Sequence, residues 1–424
     1  MWVSSMLKSY TRACLYMRTF ISFNEALSEV LDRVRLVEAE RIPLSEALGR
    51  TLAKDVVSSD SIPPFASSAM DGYALRAEDL TGTGGTLKVI EHIPAGRMPQ
   101  KTVGVGQCAR IMTGAPIPKG ADTVVPVEWT QEDQEVVDID RGATLGVHVR
   151  PAAEDVCVGD IILREGDVVT PGGLGMLASL GCISPLVRKR PRIGIISTGD
   201  EVVPPSAQPE MGQIRNSNGP TLQALAGVFG ASCMGYVHAK DDPKDIQRAI
   251  ESQMETDLLI IAGGVSVGQH DYVKTVLEKM GMAMHFWKVR QRPGKPLAFG
   301  TIGKLPILGL PGNPVSSAMC FSIYGRRAID TMLGKANLGG AQLQATMNAP
   351  MKKVPELHYF SRGIALMRSD GTLEVGPAGA QGSNLLGSVL KANCIIHLPA
   401  DQSKVGPGTK VTIELLPWTN LNPV

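Results

Sequence analysis

Several acids of this chain sit where strands should end. Asp200 and Glu201 follow an apolar run at 193–196, Asp241 and Asp242 follow a second run, and Ser266 and Asp271 close the stretch 258–271, Leu-Leu-Ile-Ile-Ala-Gly-Gly-Val-Ser-Val-Gly-Gln-His-Asp. Paired carboxylates at a strand end can hold Mg2+. A glycine-rich loop between a buried strand and a helix lets backbone amides and the helix N-terminus meet an anion. This loop has neither the Gly-Lys-Ser/Thr of a Walker A motif nor a Gly-x-Gly-x-x-Gly, so a P-loop nucleotide site and an NAD site are excluded. The segment Arg290-Gln-Arg292-Pro-Gly-Lys295-Pro adds three cations around a Pro-Gly turn, which beside a carboxylate rim suit a phosphate or oxyanion. Each cluster also has a plainer reading: a turn acid for Asp200 and Glu201, a helix cap for Asp271, a helix entry for Asp241-Asp242, and a solvated turn for the cations. His270 and His285 read as structural or surface histidines, since no partner spacing supports ligation.

The elements that must position these groups follow from apolar periodicity. From Arg192 the pattern is βαβ, with a helix after Asn218-Gly-Pro that stops at Gly230, another from about Lys244, and a third with Tyr272, Val273, Val276, Leu277 and Met280 on one face. The run 306–310 ends in Pro311-Gly-Asn-Pro, which predicts Asn313 as N-cap and Pro314 as the first residue of a further helix. In open parallel sheets ligands bind outside the carboxyl ends of the strands, so four loops should converge on one rim. Upstream, 22–34 reads as an amphipathic helix with Ser22 and Glu25 at capping-box spacing. Residues 58–157 are rich in Gly and Pro with short apolar runs, a β-rich module interrupted by a charged loop at 131–140. Short strands and turns, including Pro171-Gly172-Gly173, fill 158–189, and 340–424 return to short strands.

Composition bounds the possibilities. The 424 residues are 43% apolar, 20% charged and 4% aromatic, values of a globular chain whose core must rely on aliphatic side chains. A formal charge of +1 argues against nucleic-acid binding. Seven scattered cysteines with no Cys-x-x-Cys read as reduced thiols of a cytoplasmic protein. Without His-Glu-x-x-His or zinc spacing, any metal should be hard and oxygen-liganded, such as Mg2+. No apolar run approaches the ~20 residues of a membrane span. The start carries Lys8, Arg12 and Arg18 with no acid before Glu25; a transit peptide is one reading, and a disordered extension or a translation start at Met17 is the favoured one.

Seven motifs in one order carry a resemblance: Pro63-Pro-Phe-Ala-Ser-Ser-Ala-Met-Asp-Gly-Tyr-Ala74, Arg110-Ile-Met-Thr-Gly-Ala-Pro116, Val149-Arg150 with Glu154-Asp155, Ser197-Thr-Gly-Asp-Glu201, Gly263-Gly-Val-Ser-Val-Gly268, Pro293-Gly-Lys-Pro296 and Leu310-Pro-Gly-Asn-Pro-Val-Ser316. Over residues 20–420 the chain resembles the molybdopterin molybdenumtransferases, the MoeA proteins and gephyrin E domain of molybdenum-cofactor biosynthesis. The resemblance implies a multidomain α/β plus β fold: an elongated subunit with a three-layer α/β molybdopterin-binding domain and largely β accessory domains. The expected domains are a disordered extension over 1–20, a helix and linking β domain over 21–57 and 158–189 (the helix packing on the α/β domain), a β-rich domain over 58–157, an α/β domain over 190–335 and a C-terminal β domain over 340–424.

The implied activity ligates molybdate to the dithiolene of adenylylated molybdopterin, with Mg2+ assisting and AMP released. The implied assembly is a homodimer in which the second domain faces the partner's α/β cleft. By the same resemblance Asp271, Glu201 and Asp71 are catalytic, and Glu201, Asp241 or Asp242, and Asp271 hold Mg2+. Thr113, Arg150, Asp155, Ser266, Lys288, Arg292, Lys295, Pro311, Pro314, Ser316, Arg362 and Ser383 bind substrate. Two departures stand out. Arg292 occupies a position where many relatives carry Lys, and Gln269-His270 lacks the acid that relatives often place there, which implies a smaller metal set. No adenylylating domain is fused, so a molybdopterin adenylyltransferase is the implied donor. No nucleic acid or membrane is expected as partner. A tungstate-inserting sibling and a non-catalytic scaffold of the same fold are the alternatives.

Overall fold

The computed structural model describes residues 18–80, 82–264, 272–402 and 405–421. They fall into two compact units, one within Met1–Ala53, Glu165–Thr170 and Ser184–Val424, the other within Lys54–Arg164 and Pro171–Ile183. Ser266 and Asp271 lie outside the described residues.

The first unit is organised by a seven-stranded sheet in the order Arg18–Ile21, Ala283–Val289, Ala298–Ile302, Leu305–Leu310, Leu258–Ala262, Ile193–Thr198, Val237–Ala239. Ala298–Ile302 runs antiparallel to both neighbours and the other pairings are parallel. The three central strands are buried along their whole length, as a parallel strand covered on both faces requires. Alternate residues feed two cores. Ile195, Ile260 and Leu308 face Leu222, Leu225 and Ile329, while Ile196, Ile261 and Ile307 face Ile246, Ile250, Val273 and Val276. That is a three-layer α/β arrangement. The helix Phe23–Leu31 starts with the expected capping box between Ser22 and Glu25, and its Ala26 and Val30 join the first core. Arg18–Ile21 pairs with Ala283–Val289, so residues 18–20 belong to an edge strand rather than to a disordered extension. The cause is Ile21, buried at 6% exposure, which anchors the strand to the sheet.

The end of this unit is a closed barrel of five strands, Gln342–Met347, His358–Met367, Leu373–Pro377, Cys394–Leu398 and Lys410–Leu415. Gln291–Arg292 pairs in parallel with the start of His358–Met367, with Arg292 opposite Tyr359, and so ties the Pro-Gly turn to the barrel.

The second unit holds a six-stranded sheet in the order Thr123–Pro126, Gly72–Leu75, Gln107–Ile111, Gly85–Ile93, Val136–Ile139, Thr130–Asp133. The expected charged loop at 131–140 is instead a hairpin formed by the last two of these strands. Val137 and Ile139 are buried while the charged residues stay exposed, a two-residue alternation that the charge density hid in the sequence. The turn expected at Pro171-Gly-Gly is the start of a helix, Pro171–Ser179. Proline is favoured at a first helical position, and buried Leu177 supplies packing that overrides the weak propensity of the three glycines.

Candidate functional site

The carboxyl ends of the parallel strands in the first unit are joined to one another by hydrogen bonds. Gly199 N donates to Ala239 O at 3.3 Å, Asp241 N to Asp200 Oδ1 at 3.1 Å, Gly263 N to Leu310 O at 3.0 Å, and Asn218 Nδ2 to Gly312 O at 2.8 Å. Four loops therefore share one rim, with Asp200, Glu201 and Asp241 on it. The Glu201 carboxylate folds over Gly199, where a Cβ would lie 2.7 Å from Oε2 at a φ of +137°, so only glycine fits. Gly263 likewise has no room for a side chain: at a φ of +106° its Cβ would lie 2.6 Å from Thr198 Oγ1. That hydroxyl is buried without a hydrogen-bond partner among the described residues. Asn216 braces the same strand end, donating to Ser197 Oγ at 2.7 Å and accepting from Gly219 N at 2.9 Å.

Asp242 has a structural task. It is the N-cap of Pro243–Glu251 and accepts from Lys244 N and Asp245 N. One of its oxygens is thereby committed to the helix start, while Asp241 is tied to Asp200 through its backbone amide. Among the described residues no three His, Cys, Asp or Glu side chains form a ready metal cage. Mg2+ does not require one, because it is commonly bound by one or two carboxylates plus substrate oxygens.

A second feature lies at the junction with the barrel. Arg292, Lys352, Tyr359, Ser361, Arg362 and Gln381 line a cleft of about 540 Å3. Arg362 is only 2% exposed. Its guanidinium donates to Ser388 Oγ at 3.0 Å, Gly382 O at 3.0 Å and Ala380 O at 3.2 Å, and no carboxylate pairs with it among the described residues. Burial pushes its pKa down to about 10, so it remains a cation at neutral pH. Ser383 follows Gly382, and its carbonyl accepts from Val315 N at 3.2 Å, in the first turn of the helix Pro314–Cys320. Arg362, Ser383, Pro314 and Ser316 are thus neighbours along one path, with Pro311 and Ser316 buried and Asn313 at the N-cap. Lys288 and Lys295 are placed elsewhere: their ammonium groups sit 4.3 Å from the Trp287 ring centre and 4.9 Å from that of Phe20. Neither lines the cleft.

Gln291, in sequence only a polar residue between two arginines, holds the cationic turn in place. It is fully buried; its Nε2 donates to Pro293 O at 3.2 Å and Gly294 O at 3.3 Å, and its Oε1 accepts from Tyr324 O–H at 2.6 Å. Gln291→Leu should cost about 1–3 kcal/mol, because the buried Tyr324 hydroxyl loses its acceptor. A chemical-denaturation midpoint unchanged from wild type would remove this role.

In the second unit, Asp71 Oδ1 accepts from both Thr113 N and Thr113 Oγ1 at 2.7 Å. These bonds, the backbone one first, hold the Asp71 carboxyl below its usual range. Gly114 N donates to Ser68 O and Ala69 N to His148 O, while Arg150 pairs with Ser67. Asp155 N donates to Ile62 O on the strand segment leading there. Asp71, Thr113, Arg150 and Asp155 therefore lie on one exposed, backbone-stitched surface.

Comparison with known proteins accounts for this arrangement. Three family models match in order: "MoeA N-terminal region (domain I and II)" over residues 21–181, "Probable molybdopterin binding domain" over 194–331 and "MoeA C-terminal region (domain IV)" over 344–416. The chain belongs to the MoeA family. It is 35% identical over 400 residues to a molybdopterin molybdenumtransferase of Haemophilus influenzae, covering 93% of this chain and 98% of that one. It is 34% identical to molybdopterin molybdenumtransferase 2 of Mycobacterium tuberculosis, over 92% and 98% of the two chains. Among solved structures, the molybdopterin biosynthesis moeA protein of Pyrococcus horikoshii superposes with a TM-score of 0.81 at 30% identity, covering 94% of this chain and 100% of that one. MoeA membership agrees with the multidomain α/β plus β fold. No helix among the described residues is long and apolar enough to cross a membrane.

Proposed function

We propose that this chain is a transferase that inserts molybdenum during molybdenum-cofactor biosynthesis, joining molybdate to the dithiolene of adenylylated molybdopterin with release of AMP. The observation that carries the reading is Arg362, a buried cation with no carboxylate partner among the described residues, on a cleft shared with Arg292. Such a group is stabilised by a bound anion, and a tetrahedral oxyanion takes its bonds from Arg, Ser and backbone amides. Arg362, Arg292, Ser383 and Ser316 bind it, while Lys295 and Lys288, whose ammonium groups rest on Phe20 and Trp287, take no direct part.

The carboxylate rim takes the pterin phosphate end. Glu201 and Asp241, with Asp271, would hold Mg2+ together with substrate oxygens, and the ion would neutralise charge developing on the phosphate as AMP leaves. Ser266 and the glycine loop receive the phosphate, and the Pro311–Ser316 loop receives the pterin. Two subunits pair so that the Asp71, Thr113, Arg150 and Asp155 surface of one completes the cleft of the other. The adenylylated pterin comes from a molybdopterin adenylyltransferase.

In this reading Asp271→Asn lowers Mg2+-dependent AMP release by about 10²–10³-fold, the scale of losing one electrostatic stabiliser. Its circular dichroism and melting temperature stay those of the wild type. AMP release at the wild-type rate in that variant would remove Asp271 and the metal assignment with it.

A further inference from the structure

A cleft of about 730 Å3 opens at the amino ends of the parallel strands, the pole of the sheet opposite the carboxylate rim. Ligands of open α/β sheets belong at the carboxyl ends, so this cleft is not needed by the reaction described above. Six cations line it: Arg33, Arg35, Lys189, Arg190, Arg192 and Lys304. Three are engaged by neighbouring acids, Arg33 with Glu29 at 2.7 Å, Lys189 with Glu38 at 2.8 Å and Arg192 with Asp257 at 3.3 Å. Arg35, Arg190 and Lys304 are exposed and have no carboxylate partner among the described residues. Glu38, Glu255 and Asp257 are the acids on the lining, so cations outnumber acids by six to three.

Two further observations narrow the occupant. Leu36 lies on the lining with 55% of its surface exposed, alongside Met254, Ile302 and Pro306, so the floor is apolar between charged walls. Arg33, Arg35 and Lys304 also line an adjoining hollow of about 190 Å3, which extends the cleft into a groove. A small phosphate site would instead bury its cations and converge them on one point.

We propose that this groove docks an acidic, extended segment of a partner protein, with carboxylates over Arg35, Arg190 and Lys304 and one apolar side chain over Leu36. Exposed cations at such a surface steer association and choose the partner by charge, and the apolar contact slows its departure. Because the groove is remote from the rim, docking there leaves the reaction cleft open.

The test uses the full chain and a fluorescent synthetic peptide of about ten residues, rich in Asp and Glu with a central Leu, which reaches about 33–36 Å when extended. Arg35→Glu/Arg190→Glu/Lys304→Glu should weaken its binding at least about 10-fold, and added salt should weaken binding to the wild type. Lys244→Glu/Lys279→Glu/Lys391→Glu reverses three exposed charges elsewhere and should change affinity by less than about 2-fold. AMP release by the groove variant should match wild type, showing an intact fold. Equal peptide affinity in wild type and groove variant overturns the proposal, as does equal weakening by the two triple variants. Tight binding of tripolyphosphate without binding of the peptide would also overturn it, in favour of a small-anion site.

Discussion

Arg362→Met should raise the molybdate concentration needed for half-maximal AMP release by about 100-fold or more. Charge-assisted hydrogen bonds contribute about 1.5–3 kcal/mol each, two of them are lost, and about 1.4 kcal/mol is tenfold. The substitution keeps an unbranched apolar stem of part of the arginine's length and removes the charge. The sign of its effect on stability follows from burial. The guanidinium pKa falls to about 10, so the folded chain holds this proton less tightly than the unfolded chain does. Below that pH the charge opposes folding, and the opposition fades as pH rises through about 10 toward the unfolded value. Removing the charge takes away that penalty, while the lost bonds to Ala380 O, Gly382 O and Ser388 Oγ act the other way. The melting temperature without ligand should therefore change little. Added molybdate should raise the melting temperature of the wild type and not of the variant. Wild-type affinity for molybdate should hold at neutral pH and decline above about pH 10. An equal thermal shift in both proteins would move the oxyanion away from this cleft. Lys295→Ala should have the smaller effect, since its ammonium rests on Phe20.

The second large effect concerns Asp71 and Glu201, which lie in different units of the chain. Asp71→Ala and Glu201→Gln should each lower AMP release by about 10²–10³-fold. Mixed in equal amounts under subunit exchange, the two inactive proteins should recover about a quarter of wild-type activity, because about half of the dimers are mixed and each holds one intact site. The checks are AMP release by the mixture and mass spectrometry of the mixed dimer. Mixed dimers with no recovered activity would contradict a site shared between subunits.

What the sequence made readable was local. Ser22 and Glu25 and Asp242-Pro243 announce helix starts through side-chain caps within four residues, and Asn313-Pro314 does so through the proline at the first helical position, Asn313 making no side-chain cap bond. The strand-end loops were readable for the same reason, as buried runs broken by glycine and acid. What was hidden depends on residues distant in the chain. The cap role of Asp242 was only one of two balanced readings, because nothing local says whether a carboxylate faces its own helix or a ligand. Arg362 carries no local sign of burial; its partners Ala380, Gly382 and Ser388 arrive 18–26 residues later, when the barrel closes. Gln291 looks like one more polar turn residue until Tyr324 is placed against it from 33 residues away. The hairpin at Thr130–Asp133 and Val136–Ile139 was obscured by charge, and the Pro171–Ser179 helix by glycine. Tertiary packing decided both against local composition.

The central claim is that an oxyanion held beside Arg362 is transferred to the pterin as AMP leaves. It is tested most directly by incubating the protein with purified adenylylated molybdopterin and molybdate, then measuring AMP by chromatography and molybdenum on the isolated pterin by mass spectrometry. The prediction is that AMP and pterin-bound molybdenum rise together in equal amounts, that neither appears without molybdate, and that tungstate under the same conditions reports how far the cleft separates the two oxyanions. AMP released at the same rate without oxyanion, or released with no molybdenum on the pterin, would contradict it.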